Sequence, residues 1–442
     1  MSGVGRKQPT NNAKGCEGVV AALRGMILDG HWQPGAQLPS RKDLLRSLET
    51  APLTLHHAVH RLVNDGFLRT ALGSGTYVVD TPSHLNTYAV VFGFDPAVQG
   101  PWNNWSRYYQ ALTQAAVRLQ QETGRRMLMF HGIDNHADSE DRVRLITHIE
   151  RQRLAGVIFA NSPYLLGGTP VLEAPGVPRV AIAGHQQYLQ VPVVSTDIAM
   201  WVNKALDHLA ALGRRRVATL TVGLNLDFQA LLKAGLAARG MISHPRWTLF
   251  FDGMPPPEGV TQSGLRNVVD LLMHDRERPD ALLIADDSYV EEALAGLVAA
   301  GVSVLACGEP SRTARGDQVR SDDVALVGHA NFPLVPSRIL PVRLLGYDAN
   351  LMLRACVDLI DRQRRGEPVP GETLVPALWE EEVPNAELRN AERGTRNGER
   401  GMRNVERGTR NVEHGMRNAM TTLSLEDEGR SVPASSNKVE QS

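Results

Sequence analysis

From Tyr88 to about Glu382 the chain alternates short apolar runs with amphipathic stretches, and this pattern limits the fold more than any other feature. The runs "YAVVFGF" (88–94), "RRMLMF" (125–130), "AGVIFA" (155–160) and "PRVAIAG" (178–184) read as strands. Stretches such as "YYQALTQAAVRLQQETG" and "SEDRVRLITHIERQRL" between them read as helices. A second series follows with "RRVATLTV" (215–222), "PDALLIADD" (279–287) and "DDVALVGHANF" (322–332). Alternating strand and helix signals predict a parallel α/β sheet. Two series in tandem predict two doubly wound lobes, with a ligand cleft between them at the strand ends.

At 442 residues the chain exceeds one ordinary domain, and its 42% hydrophobic content suffices for real cores. The composition divides it into a polar leader at 1–15, a helix-rich unit at 16–80, a linker at 81–87 ("DTPSHLN" spans 80–86), the α/β region at 88–382 and a biased tail at 383–442. The total net charge of -1 says little, but residues 1–80 hold nine Lys and Arg against six Asp and Glu. That excess of three positive charges permits nucleic-acid binding without demanding it. Cys16, Cys307 and Cys356 are far apart, as reduced thiols of a cytosolic protein would be. The start "MSGVGRKQPTNNAKG" is no signal peptide, and no uncharged apolar run is long enough to span a bilayer. A cytoplasmic protein without membrane contact is expected.

The tail repeats "RNAERGT RNGERGM RNVERGT RNVEHGM RN" from Arg389 to Asn418 with a period of seven. A coiled coil needs two apolar positions per heptad, and here one at most qualifies. Each unit also carries a glycine (Gly394, Gly401, Gly408, Gly415), which costs a helix roughly 1 kcal/mol relative to alanine. A solvated low-complexity tail is expected. The polar insertion "ACGEPSRTARGDQVRSDD" before the last of those strands reads as an exposed loop.

In the N-terminal unit, Val20, Leu23 and Ile27 share one helix face that ends at "DGHWQPG". Ser40 is placed to cap the next helix, with Asp43 three residues on as in a capping box. After the turn "ETAPL" a further helix carries Leu55, Ala58, Val59 and Leu62 inward and stops at Gly66. "FLRT" and "GTYVVD" flank "ALGSG", a hairpin with Gly73 and Gly75 at its tip. Three helices and a two-stranded wing make a winged helix-turn-helix.

The run "LRGMILDGHWQPGAQLPSRKDLL...LHHAVHRLVNDGFLRTALGSGTYVV" resembles the GntR-type winged helix over about 60 residues. The carrying marks are a helix followed by "DG", then "PG.QLPS", "A..RL...GF" and the glycine-rich wing. The resemblance implies double-stranded DNA as partner, read by a homodimer. It places Ser40, Arg41, Lys42, Thr54, His56, His57, Arg61, Arg69 and Gly73 at the DNA. The reading surface departs from the family. Where relatives have a polar turn rich in Thr and Arg, this chain has Ala51, Pro52, Leu53 and Thr54, then His56, His57 and later His60. A neutral histidine brings no counterion release, so a weak salt dependence is expected. The same histidines could instead only solvate the helix.

The large region resembles the LacI/GalR-type effector domain, whose fold is that of periplasmic binding proteins. "GVPRVAIAG", "VVSTDIAMWVNKALDHLAALGRRRVATL", "RPDALLIADDSYVEEALAGLVAAGV" and "DDVALVGHANF" carry it, over roughly 290 residues. The resemblance implies a small-molecule effector, modally a carbohydrate. It points to Phe94, Asp95, Trp102, Trp105, Asp197, Asp286, Ser288, His329 and Asn331. Two family groups are missing: the first Asp of the "G-aromatic-D-D" motif is absent from Gly328-His329-Ala330-Asn331, and no Arg matches within "GLNLDFQALLKAGL". Such an Asp and Arg grip sugar hydroxyls, so their loss bears on the ligand. For Trp102 and Trp105, stacking on a sugar and ordinary lobe packing are equal alternatives.

No GxSxG, HExxH or GxxxxGK[ST] occurs, no metal-ligand spacing is present, and no cofactor is implied. The expectation is a non-enzymatic, ligand-responsive transcriptional regulator with a carbohydrate-sensing repressor role. The alternative is a sensor or interaction protein of the same fold whose DNA-reading helix has degenerated.

Overall fold

The computed structural model describes residues 15–97, 106–134, 139–184, 191–222, 226–251, 263–306 and 323–384. Trp102, Trp105, Cys307, nearly all of the leader, most of the polar insertion and the heptad tail lie outside the described residues.

The head is a winged helix-turn-helix. Helices α1 (Cys16–Leu28), α2 (Arg41–Ser47) and α3 (Pro52–Asn64) precede the hairpin β1 (Leu68–Ala71) and β2 (Gly75–Val78), paired antiparallel with Leu68 opposite Val78. Leu23, Leu44, Leu55, Leu62 and Phe67 close its core. Ser40 caps α2 by accepting from the Asp43 N–H, but Asp43 returns its carboxylate to the Ser40 hydroxyl, at 2.6 Å, rather than to the backbone. The helix expected after "ETAPL" starts inside that stretch. Pro52 is its first residue, where a missing N–H costs nothing and φ is already helical. Leu53 therefore belongs to the first turn of α3.

The segment read as a linker forms a single helical turn, α4 (Ser83–Asn86), packed on the head. His84 is buried with its ring stacked on Phe67, centroids 5.2 Å apart. At the C-cap of α3, Asp65 is only 1% exposed and faces three guanidinium groups. Arg24 comes from α1 at 3.4 Å, while Arg151 at 3.4 Å and Arg153 at 3.8 Å come from the large region. Described residues up to Val383 fall in one compact unit.

The large region has two lobes. Lobe 1 begins with β3 (Thr87–Val91), α5 (Arg107–Thr123), β4 (Arg126–Phe130), α6 (Glu140–Glu150), β5 (Gly156–Phe159), α7 (Pro170–Glu173), β6 (Arg179–Ile182) and β7 (Val193–Thr196). The chain crosses into lobe 2 with α8 (Ile198–Ala211), β8 (Val217–Val222), α9 (Leu226–Ala238), β9 (Thr248–Phe251) and α10 (Ser263–Met273). There it continues through β10 (Ala281–Ile284), α11 (Val290–Ala299), β11 (Ala325–Phe332) and β12 (Arg343–Asp348). It returns to lobe 1 for α12 (Ala349–Arg364) and β13 (Glu372–Val375), then places β14 (Leu378–Trp379) in lobe 2. The sheets run β13-β7-β6-β5-β3-β4, all parallel, and β14-β12-β11-β10-β8-β9, parallel except for β14. Order reverses between β3 and β5 and between β8 and β10, which opens a crevice beyond the strand ends in each lobe. Helix α12 lies flush on β5: a Cβ on Gly156 would fall 2.4 Å from Ile360.

Burial lowers the pKa of His84, His148 and His208 to about 4 in each case, helped by Arg364, by Arg153 and its neighbours, and by Arg343 respectively. Folded, these rings stay neutral where unfolded imidazoles, with pKa near 6.5, take up protons. Their contribution to stability is whole above that value and is lost as pH falls toward about 4. Thermal melting should therefore show a lower midpoint at about pH 5 than at about pH 7. His84→Phe, which keeps the stack on Phe67 but cannot protonate, should lose less between the two. Equal losses in both proteins would remove His84 from the account.

Candidate nucleic-acid interface and effector cleft

The exposed face of α3 carries Leu53, His56, His57, His60 and Asn64, at offsets of three, four, seven and eleven residues. These offsets fall on one side of a helix. The His56 and His57 rings stand 6.0 Å apart, and the Asn64 amide lies 3.2 Å from Nδ1 of His60. Thr54 is half-buried on the same first turn, and Lys42 is exposed on α2. Other expected DNA contacts are already engaged within the head. Arg41 donates to the Pro52 carbonyl at 2.9 Å, which straps the start of α2 to the start of α3. Arg61 pairs with Glu17, the Arg69 guanidinium lies 4.8 Å above the Tyr77 ring, and Ser40 is the cap of α2. Gly73 takes φ 74° at the wing tip, a backbone state that glycine adopts without strain.

In the large region the sites expected from sequence separate into two groups. At the crevice of lobe 1, Phe94 is half-exposed near Tyr109, Asp95 accepts from the Ala97 N–H, and the Asn161 side chain accepts from Gly93. At the crevice of lobe 2, Asp286 caps a short turn by accepting from the N–H and hydroxyl of Ser288. Its neighbour Asp287 is the one turned inward. Buried, it accepts from the Asn331 amide at 3.0 Å. Burial pushes the Asp287 carboxyl above the usual carboxylate range, while His329 and the Asn331 hydrogen bond act the other way.

A cavity of about 220 Å³ lies beside these groups, lined by Thr196, Ile198, Trp201, Thr221, Val222, Phe228, Ala285, His329 and Tyr347. It sits at the first crossing between lobes. Asp197 caps α8 by accepting from the Met200 N–H, and its carbonyl accepts from the Tyr347 hydroxyl at 3.1 Å. Trp201 spends its indole N–H on the Leu345 carbonyl, so toward the cavity it offers only its ring. Nδ1 of His329 is buried without a hydrogen-bond partner among the described residues. Of the residues expected from sequence, this cavity takes His329 alone, with Asp197 adjacent to it. Trp201, Phe228, Thr221 and Tyr347 sit on elements whose inward face only the folded lobe defines.

Arg107 was also missed by sequence reasoning. It starts α5 in lobe 1, donates to the Asp287 carbonyl at 2.7 Å and pairs with Glu291, both in lobe 2. It clamps one lobe to the other across the cleft.

Comparison with known proteins agrees with the head. Residues 16–78 match the family model described as "Bacterial regulatory proteins, gntR family". This unit is a GntR-type winged helix-turn-helix. The chain is also similar to two curated proteins named "Arabinose metabolism transcriptional repressor". That of Halalkalibacterium halodurans is 22% identical over 233 residues, 51% of this chain and 61% of the relative. That of Geobacillus stearothermophilus is 22% identical over 322 residues, 69% of this chain and 79% of the relative. The chain thus spans under two thirds of the first relative's length. Among solved structures, a putative LacI-family transcriptional regulator from Rhizobium etli aligns at TM-score 0.49 and 16% identity, covering 67% of this chain and 97% of that one. A regulatory protein of the LacI family from Chloroflexus aggregans aligns at TM-score 0.48 and 17% identity, covering 67% of this chain and 96% of that one. No helix among the described residues is long and apolar enough to cross a membrane.

The clamp has a measurable consequence. Arg107→Ala removes a charge-assisted contact worth about 1 kcal/mol after allowance for its partial exposure. The ratio of open to closed lobes should rise about fivefold. Small-angle scattering should report a larger radius of gyration, and the crossing near Asp197 should be cut faster by protease. An unchanged scattering curve and cleavage rate would show that Arg107 holds nothing closed.

Proposed function

We propose that this chain is a ligand-responsive transcriptional repressor that binds double-stranded DNA as a cytoplasmic homodimer. The observation that carries the reading is one chain holding both a winged head with an exposed reading stripe and a two-lobed body with a cavity at its hinge. One reading helix per chain gives too few contacts for useful affinity, so two heads on a pseudo-palindromic site are needed. Effector in the cleft would favour one lobe arrangement over another and thereby the spacing of the heads.

The effector in this reading is a small carbohydrate. A cavity of about 220 Å³ is small beside the roughly 300–1,000 Å³ of drug-sized pockets. Thr196, Thr221 and Tyr347 line it beside Trp201 and Phe228, a mix of hydroxyl and aromatic residues suited to the polar rim and apolar face of a sugar ring. The two relatives named for arabinose metabolism support the same class. The chemistry is binding and release, with no reaction assigned to the site.

A second reading is a sensor whose head no longer reads DNA. Ala51-Pro52-Leu53 at the start of α3 favours it, as do the guanidinium groups of Arg41 and Arg61 already engaged inside the head. Electrophoretic mobility shift at low salt on duplexes enriched from a random pool separates the two. Each specific base contact is worth about 1–3 kcal/mol. The triple variant Thr54→Ala, His56→Ala, His57→Ala should therefore lose at least about 100-fold on the enriched site while its affinity for random DNA changes little. If the wild type enriches no sequence at any salt, the repressor reading fails.

A further inference from the structure

We propose that Leu53 reads the 5-methyl group of thymine, making a thymine in each half-site the position that this helix selects. The inference rests on the DNA-binding reading above. It starts from a misfit on the reading helix: Leu53 is 66% exposed on the first turn of α3, in a stripe otherwise made of imidazoles and an amide. Single exposed leucines are ordinary, and this chain has others such as Leu72 and Leu271, but Leu53 is the one that lies in the stripe proposed to face DNA.

The surroundings select that occupant. Leu53 follows Pro52, whose carbonyl is held by Arg41, so the first turn is fixed in place rather than free to fold inward. Lys42 and Arg46 are exposed on α2, and Arg69 is exposed on the wing. Exposed cations on α2 and on β1, the elements before and after α3 in the chain, suit a polyanion at this face, with phosphates at the edges and bases at the centre. A protein partner is the weaker fit, because a stable interface buries about 800 Å² on each side. One leucine in a stripe with His56, His57 and His60 gives no such apolar patch.

The floor of the major groove carries one apolar feature, the thymine methyl, and side chains from the start of a reading helix are those that reach it. Leu53 meets that methyl by burial, while His56 and His57, three and four residues on, offer ring nitrogens to the neighbouring base edges. The same residue that makes the start of α3 look degenerate is thereby its specificity element. A leucine makes no hydrogen bond to any base edge, so its selection comes from the methyl alone.

The experiment uses the full chain. Binding sequences are enriched from a random duplex pool, and each thymine of the resulting site is replaced in turn by uracil, which deletes only the methyl. For one thymine per half-site, uracil should weaken wild-type binding about fourfold, the equivalent of about 0.8 kcal/mol per buried carbon at about 1.4 kcal/mol per tenfold. Leu53→Ala should bind thymine and uracil duplexes equally, and Leu53→Met, which keeps an apolar side chain there, should restore the preference. Because Leu53 is exposed, the variants should fold, which their melting midpoints check. The proposal is overturned if no uracil substitution weakens the wild type, or if Leu53→Ala keeps the full penalty. Failure to enrich any sequence is a separate outcome that overturns the DNA-binding reading and this inference with it.

Discussion

Three backbone crossings between the lobes set what the rest of the large region can do. The chain passes from lobe 1 to lobe 2 after Thr196, returns after Asp348 and passes over again between Val375 and Leu378. The first two crossings are built alike. Asp197 caps α8 and Asp348 caps α12, each aspartate accepting a backbone N–H of the helix it starts. The Tyr347 hydroxyl then ties the second crossing to the carbonyl of the first. At the third, the Lys204 ammonium holds the Ala377 carbonyl at 2.9 Å and pairs with Glu382. With its pivots pinned this way, the body can bend chiefly about the line of the crossings. The cavity lies on that line, because Thr196, Ile198 and Tyr347 belong both to its wall and to the hinge. A ligand there touches the moving part directly.

Much of this architecture is legible in the sequence, and the exceptions have identifiable causes. The runs at 155–160 and 279–287 contain β5 and β10, and the run at 88–94 holds all of β3 but Thr87, because central parallel strands are buried on both faces and read as unbroken apolar text. β13 and β14 sit at sheet edges, and their short, mixed segments "ETLV" and "LW" give no such signal. β7 ends in Ser195 and Thr196, and β12 holds an arginine, a glycine and an aspartate, so composition hides both. In the cleft, the pair Asp286-Asp287 marks the right place, yet only the fold shows that Asp287 turns to Asn331 while Asp286 caps its own turn. Arg107 carries no local mark, since its partners are about 180 residues away along the chain.

The joint between head and body was equally invisible, for the same reason. Asp65 ends the reading helix, and its carboxylate faces Arg24 from the head and Arg151 and Arg153 from lobe 1. A carboxylate at 1% exposure is tolerable only while such cations surround it. Separating head from lobe 1 removes two of the three, and it also strips the Arg153 contact from the Asn64 carbonyl. Ser83 and His84 close the other side of the joint, the first on the Asp65 carbonyl and the second on Phe67. The C-terminal end of α3 is therefore anchored to the body, and its N-terminal end is the part left facing solvent.

That division of labour explains the chemistry of the reading face. Arg41 and Arg61, both expected at the DNA from the sequence, instead hold the head together, and Arg24 is buried against Asp65. Cations engaged in this way release fewer counterions on binding, so less of the affinity comes from phosphate neutralisation. On the DNA-binding reading proposed above, discrimination would rest on ring nitrogens, one threonine hydroxyl and apolar burial. A stripe of Leu53, His56, His57 and His60 supplies these, at the end of the helix that the anchored joint leaves free. The apolar start of α3 and its shortage of free arginines are two sides of one arrangement, in which arginines build the head and leucine, threonine and imidazole side chains are left at its free face.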